Sequence, residues 1–272
     1  MPQLHDPVAI SLGPIDIRWY ALFILGGIAA ALSLSYWLAA QRGLDPGFLL
    51  DIAPWVIVLS VIGARAYFVM LEWDRFREDL GAAINIRTGG LSIHGALIVG
   101  IVVVIVACRM ARQPTLTWLD LIAPGAALGQ AIGRWGNWAN QEAFGRPTDL
   151  PWAVTIDLNR RPAGYEQFST FHPTFLYESI FNLANAVLLS WLVLRWPRFR
   201  WLRSGDVAAT YLVLYGIARL AIERIRTDSL YIGPLPAAYW LSFAMIAGGI
   251  VLYILNRSLF AAKPTPAQGA SA

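Results

Sequence analysis

The sequence predicts an all-α, polytopic membrane protein of seven transmembrane helices with a small extracytoplasmic cap. Three observations carry that prediction. The chain is 57% hydrophobic and only 14% charged, whereas soluble domains carry about 25% charged residues. Residues 19–41 and 229–256 contain no formal charge, and about 20 apolar residues suffice to cross a bilayer. Shorter apolar runs fill most of the remaining length.

In chain order, the expected spans are 18–41, 49–71, 92–110, 117–134, 174–195, 206–225 and 236–256. The first runs uncharged from Trp19 to Gln41. The second contains Arg65, which needs an internal partner because arginine is costly in lipid. The third opens on "GGLSIHGAL" and ends near Cys108, the lone cysteine, which reads as a small buried hydrophobe. The fourth is the weakest, with thirteen uncharged residues between Asp120 and Arg134. Its Gly125, Gly129 and Gly133 recur every four residues, so one face is bare and another backbone can approach it. The fifth starts at "FHPTFLYES", where Pro173 suits a first helical turn. The sixth carries Arg219 and Glu223, and the seventh is uncharged.

These spans make one transmembrane domain, residues 1–258, with cap segments at about 72–90 and 135–173. Within the second segment, "PWAVTID" alternates weakly and is expected to form a short strand. Residues 259–272 are small, polar and proline-bearing, as in a disordered tail. The N-terminal stretch has neither a basic n-region nor a small-residue cleavage site, so no cleavable signal is expected.

Basic residues set the orientation. One set of loops holds Arg42, Arg109, Arg112, Arg195, Arg198, Arg200, Arg203, Arg257 and Lys263, and nets +5. The opposite set nets −2, and Arg65 completes the +4 of the chain. "RWPRFRWLR" is the strongest cytoplasmic marker. The N-terminus is then outside and the C-terminus cytoplasmic. Charge of this distribution orients a bundle, and no nucleic-acid partner is expected.

The chemistry concentrates at the outer rim. In "AIGRWGNWANQEAFGRP", a continuing helix places Gln130, Arg134, Asn137 and Gln141 on one face. A guanidinium flanked by amides matches a phosphate oxygen array; the alternative for Arg134 is snorkelling to the interface. Arg219, Glu223 and Arg226 also share a helical face, and such groups must point into the bundle or a wet cavity. Either Arg219 and Glu223 neutralise each other, in the poorer Arg-before-Glu order, or the set forms an anion site. His94 sits among glycines that let a substrate approach. Its imidazole, with a pKa near about 6.5, makes it a candidate base, a structural histidine being the alternative. His172, Tyr177 and Glu178 read as structural, and Tyr20 lies where aromatic belts form.

Three dispersed histidines offer no recognisable metal-ligand spacing, and neither a metal nor another cofactor is expected. There is no G-x-S-x-G elbow, no Walker sequence, and no histidine–aspartate spacing of the kind glycerolipid acyltransferases use.

"GRWGNWANQEAFG" closely resembles the signature of the prolipoprotein diacylglyceryl transferase family, through Gly133, Arg134, Gly136, Asn137, Asn140, Glu142 and Gly145. "GGLSIHG", "HPTFLYE", "RWY" and the Arg219–Glu223 pair fall in family order, and the resemblance covers almost the whole chain. Gln141 stands where the family more usually has glycine or a small residue, Ala218 where phenylalanine is frequent, and Phe68 where tyrosine is common. The resemblance implies transfer of the diacylglyceryl group of phosphatidylglycerol to the lipobox cysteine of a preprolipoprotein. A thioether forms and glycerol phosphate leaves. It implies catalytic roles for His94, Arg134, Arg219 and Glu223. It implies substrate contacts for Tyr20, Asn137, Asn140, Glu142, Gly145 and Arg226. A transporter or receptor for an anionic lipid is the alternative from another class; transporters often show two related halves, and the sequence shows no internal repeat.

Overall fold

The computed structural model describes residues 4, 6–13, 15–85, 89–196, 199, 201–227, 229 and 231–259. Its long helices are α1 (Trp19–Gln41), α2 (Gly47–Leu71), α5 (Ile93–Met110), α6 (Thr115–Asn140), α7 (Thr174–Arg195), α8 (Asp206–Glu223) and α9 (Ala237–Leu259). Short helices α3 (Trp73–Phe76) and α4 (Leu80–Ile84) lie between α2 and α5. All seven expected spans are therefore helices. Of these, α1, α2, α7 and α9 are each long and apolar enough to cross a membrane. α5 supplies the shorter apolar stretch Gly95–Met110. The protein is an all-α membrane protein with minor strand decoration. The tail expected from 259 onward lies outside the described residues beyond Leu259, as do Arg198, Arg200 and Lys263.

Three two-stranded antiparallel hairpins decorate the bundle: β1 (Val8–Leu12) with β2 (Ile15–Arg18), β3 (Val154–Thr155) with β4 (Thr170–Phe171), and β5 (Tyr231–Ile232) with β6 (Leu235–Pro236). β3 is the strand expected in "PWAVTID".

Small residues set the closest packing. A Cβ on Gly27 of α1 would come within 2.7 Å of the Gly129 carbonyl oxygen, and one on Gly129 within 2.9 Å of that of Gly27. A Cβ on Gly125 would collide with Ser35 and with Ala31 of α1. The four-residue glycine repeat is thus a seam for α1, as a bare helix face permits. Gly63 and Gly95 join α2 to α5 in the same manner, as do Gly216 and Gly249 for α8 and α9.

One end of the bundle collects the basic set. Arg42 donates to the Val193 carbonyl at 3.1 Å and stacks over Trp196. Gly205, at the N-cap of α8, has no side chain to cap with, and its φ is +100°. Asp120 of α6 does so instead, accepting from the Gly205 and Ala208 amides at 2.6 and 2.8 Å. This meets the unpaired N–H groups of a helix start. Asp206 takes Arg257 through both oxygens, at 2.9 and 3.0 Å. Cys108 is fully buried in the apolar cluster beside them, with Leu38, Trp118 and Leu192.

At the other end, Arg65 is buried in α2. Its guanidinium donates to the Ala82, Ala83, Gly89 and Gly90 carbonyls at 2.6–2.9 Å. Here the required internal partner is backbone, and Arg65 ties α2 to the Ala82–Ala83 and Gly89–Gly90 stretches.

Candidate active site

α6, α7 and α8 each send charged side chains into one buried cluster, near the C-terminal ends of α6 and α8 and the start of α7. Glu178, in the first turns of α7, is 5% exposed and lies between two arginines. Its Oε2 is 2.5 Å from Arg134 Nη2 of α6, and its Oε1 is 3.4 Å from Arg219 Nη1 of α8. Arg219 Nη2 is also 2.7 Å from Oε2 of Glu223, one turn along its own helix. The Tyr215 hydroxyl, one turn below Arg219, accepts from Arg134 at 3.5 Å. The Arg134 and Arg219 side chains are 20% and 14% exposed, so both retain an open edge. Charges this deep are tolerated because they are paired.

Two predicted groups, Arg134 and the Arg219–Glu223 pair, are therefore brought together. Glu178 completes them, although the sequence reading treats it as structural. Its one signal was a carboxylate in the first turns of a span, which needs an internal partner. Which helix it would meet was not readable locally. The two guanidiniums are matched by two carboxylates, so the cluster is formally neutral as it stands.

α6 ends at Asn140, and Gln141 follows in the left-handed region at φ +54°. The Gln130–Arg134–Asn137–Gln141 face is thereby broken at its last member. Gln141 turns away to Asp157, donating to Oδ2 at 2.7 Å and accepting from its amide at 2.9 Å. Glycine adopts this conformation without strain, which accounts for the small residue more usual in the family. Ala143 also has positive φ, +57°. This tight exit turn brings Glu142 back over the helix end, where it accepts from Asn137 Nδ2 at 2.9 Å and Asn140 Nδ2 at 3.3 Å. Tyr20 of α1 packs its ring on Gly136, where a Cβ would come within 2.8 Å. It lies within electrostatic reach of Glu142 and Arg134.

Gly145 is a packing position. A Cβ there would meet His172 Cβ at 2.8 Å and the Ile225 carbonyl at 2.9 Å. Its amide donates to the His172 carbonyl at 2.9 Å, and it bridges to Arg226. Arg226 lies beyond the end of α8 at Glu223, so it does not continue the Arg219–Glu223 helical face. His172 contacts the Tyr177 hydroxyl through Nδ1 at 3.1 Å, and Trp152 donates to that hydroxyl at 2.9 Å. Phe144, Val154, Ile156, Phe171 and Phe175 form an apolar cluster beside the start of α7. His94 occupies the first turn of α5, and its side chain lies outside the described residues.

Comparisons with known proteins agree on one family. The chain matches the prolipoprotein diacylglyceryl transferase family over residues 7–255. A phosphatidylglycerol–prolipoprotein diacylglyceryl transferase of Synechococcus elongatus is 42% identical over 258 residues, covering 93% of this chain and 89% of that protein. The proteins of the same name from Gloeobacter violaceus and Finegoldia magna are 43% and 41% identical, each over 92% of this chain and covering 93% and 95% of their own.

Proposed function

The chain belongs to the prolipoprotein diacylglyceryl transferase family, and from that premise we propose that Arg134 and Arg219 hold the phosphate of a phosphatidylglycerol molecule during transfer. The protein is a transferase of lipoprotein maturation. It moves the diacylglyceryl group of phosphatidylglycerol to a prolipoprotein. The thiol of the lipobox cysteine is the acceptor. Its sulfur forms a thioether with the glyceryl carbon as the C–O bond breaks, and glycerol phosphate departs.

The observation that carries the site assignment is the meeting of two guanidiniums, from separate helices, on one carboxylate. Donors set in advance where charge develops are a large source of catalysis. Arg134 and Arg219 stabilise the departing phosphate. Glu223 fixes Arg219, and the 2.7 Å contact supports that role. Asn137, Asn140 and Glu142 shape the head-group side, joined by their own hydrogen bonds. Tyr20 contacts lipid or peptide beside them. Gly145 and Arg226 pair through an isolated backbone bridge, a supporting role for substrate binding. His94 takes the thiol proton; a free thiol, with a pKa near about 8.5, is mostly protonated at neutral pH.

All seven long helices cross the bilayer. The basic end is cytoplasmic, and the clamp faces outward where lipid phosphates lie. The N-terminus is outside and the C-terminus inside, in the bacterial inner membrane.

Incubating the purified protein with phosphatidylglycerol vesicles and a lipobox peptide tests this directly. A diacylglyceryl mass gain on the peptide is expected, lost when cysteine is replaced by serine. Lipid binding without a mass gain would instead indicate a receptor or carrier for an anionic lipid.

A further inference from the structure

We propose that Glu178 is a resident stand-in for the lipid phosphate, occupying the gap between Arg134 and Arg219 and displaced from it when substrate binds. This rests on the phosphate role given above to the two arginines.

Three observations converge. First, each Glu178 oxygen addresses a different guanidinium, Oε2 that of Arg134 at 2.5 Å and Oε1 that of Arg219 at 3.4 Å. Guanidinium groups grip carboxylate and phosphate oxygens through the same fork, so one carboxylate can hold the places of two phosphate oxygens. Second, the cluster is already charge-balanced, with Glu223 on Arg219 and Glu178 between the arginines. An arriving phosphodiester would add a third anion to two cations. Third, the two carboxylates are held differently. Glu223 lies on the same helix as Arg219 and contacts it at 2.7 Å. Glu178 comes from another helix and is the carboxylate that bridges both guanidiniums, touching Arg134 at 2.5 Å and Arg219 at 3.4 Å. The carboxylate standing where a phosphate between the two arginines would sit is therefore Glu178.

While no lipid is present, this carboxylate sets the spacing of the two guanidiniums and keeps them from collapsing onto other acceptors. That is a positioning role. It makes a prediction of unusual sign. Removing a merely structural ion-pair partner weakens the site, whereas removing a competing anion strengthens phosphate binding.

The test uses the full-length protein in detergent, with Glu178→Gln and Glu178→Ala compared with the parent. Binding of phosphatidylglycerol, and separately of glycerol phosphate, is measured by titration of intrinsic tryptophan fluorescence or by calorimetry. Turnover on the lipobox peptide gives kcat and KM. Glu178→Gln is expected to bind the lipid on the order of tenfold more tightly, as removal of a nearby like charge does in a partly buried site, while kcat falls. Glycerol phosphate is expected to tighten as well, which assigns the effect to phosphate rather than to the acyl chains. Glu178→Ala is expected to tighten binding in the same direction, and circular dichroism reports whether each variant retains its helices. Folded variants with unchanged or weaker binding would overturn the proposal. Loss of peptide transfer in the parent protein would instead overturn the transferase reading of the site.

Discussion

Arg134→Ala separates chemistry from architecture. In the parent, Arg134 contacts Glu178 at 2.5 Å and Tyr215 at 3.5 Å. After truncation, Glu178 retains Arg219 at 3.4 Å, so its charge is not left alone. Breaking a buried ion pair outright costs about 3–5 kcal/mol. With a second cation in reach the expected loss is smaller, on the order of 2 kcal/mol. The glycine seam to α1 and the Ser179 hydroxyl bonded to the Ala131 carbonyl at 2.8 Å are untouched. Loss of one preorganised donor to a developing anion lowers turnover about 10²–10³-fold. The variant should therefore remain helical, melt a few degrees lower, and transfer at least about a hundredfold more slowly. Mass spectrometry of the lipobox peptide measures transfer, with thermal unfolding in the same detergent as the structural control. Near-parental turnover would refute the phosphate role of Arg134, and loss of helicity alongside activity would assign it to folding.

Other outcomes follow from the same geometry. Gly129→Ala should lower thermal stability by about 1–3 kcal/mol, the usual cost of overpacking, because its Cβ would press on the Gly27 carbonyl at 2.9 Å. Gly133→Ala is the matched control, meeting Ile24 Cδ1 at an ordinary 3.5 Å, and should melt as the parent does. Arg65→Gln cannot reach the four carbonyls its guanidinium engages; faster amide exchange across residues 80–90 is expected, and unchanged exchange would remove its anchoring role. His94→Gln should slow transfer and flatten its pH profile, and an unaltered profile would exclude it as the base.

The long helices were legible because lipid imposes a length and forbids charge. The expected boundaries of α1, α5 and α7 fall within one residue of those observed. α6 read as weak for a physical reason: Asp120 sits in its second turn to cap another helix, a partnership no local pattern announces. The arginines were legible as costly groups needing partners, but Glu178 was not, since its importance lies in which helices pack beside it. The shared face assigned to Gln141 and the helical continuation to Arg226 both failed at chain reversals. Helical periodicity extrapolates through a left-handed residue such as Gln141 without warning. The hairpins at 8–18 and 231–236 are too short to leave a pattern.

The tie of Asp120 to the amides starting α8, beside the doubly held Arg257–Asp206 pair, acts as a fulcrum. α6 and α8, pinned at this end, separate most easily at the other. Entry of a two-tailed lipid between α6, α7 and α8 then resembles the opening of tongs. Very little displacement is needed at the pinned end, and the widest gape falls at the Arg134–Arg219 cluster.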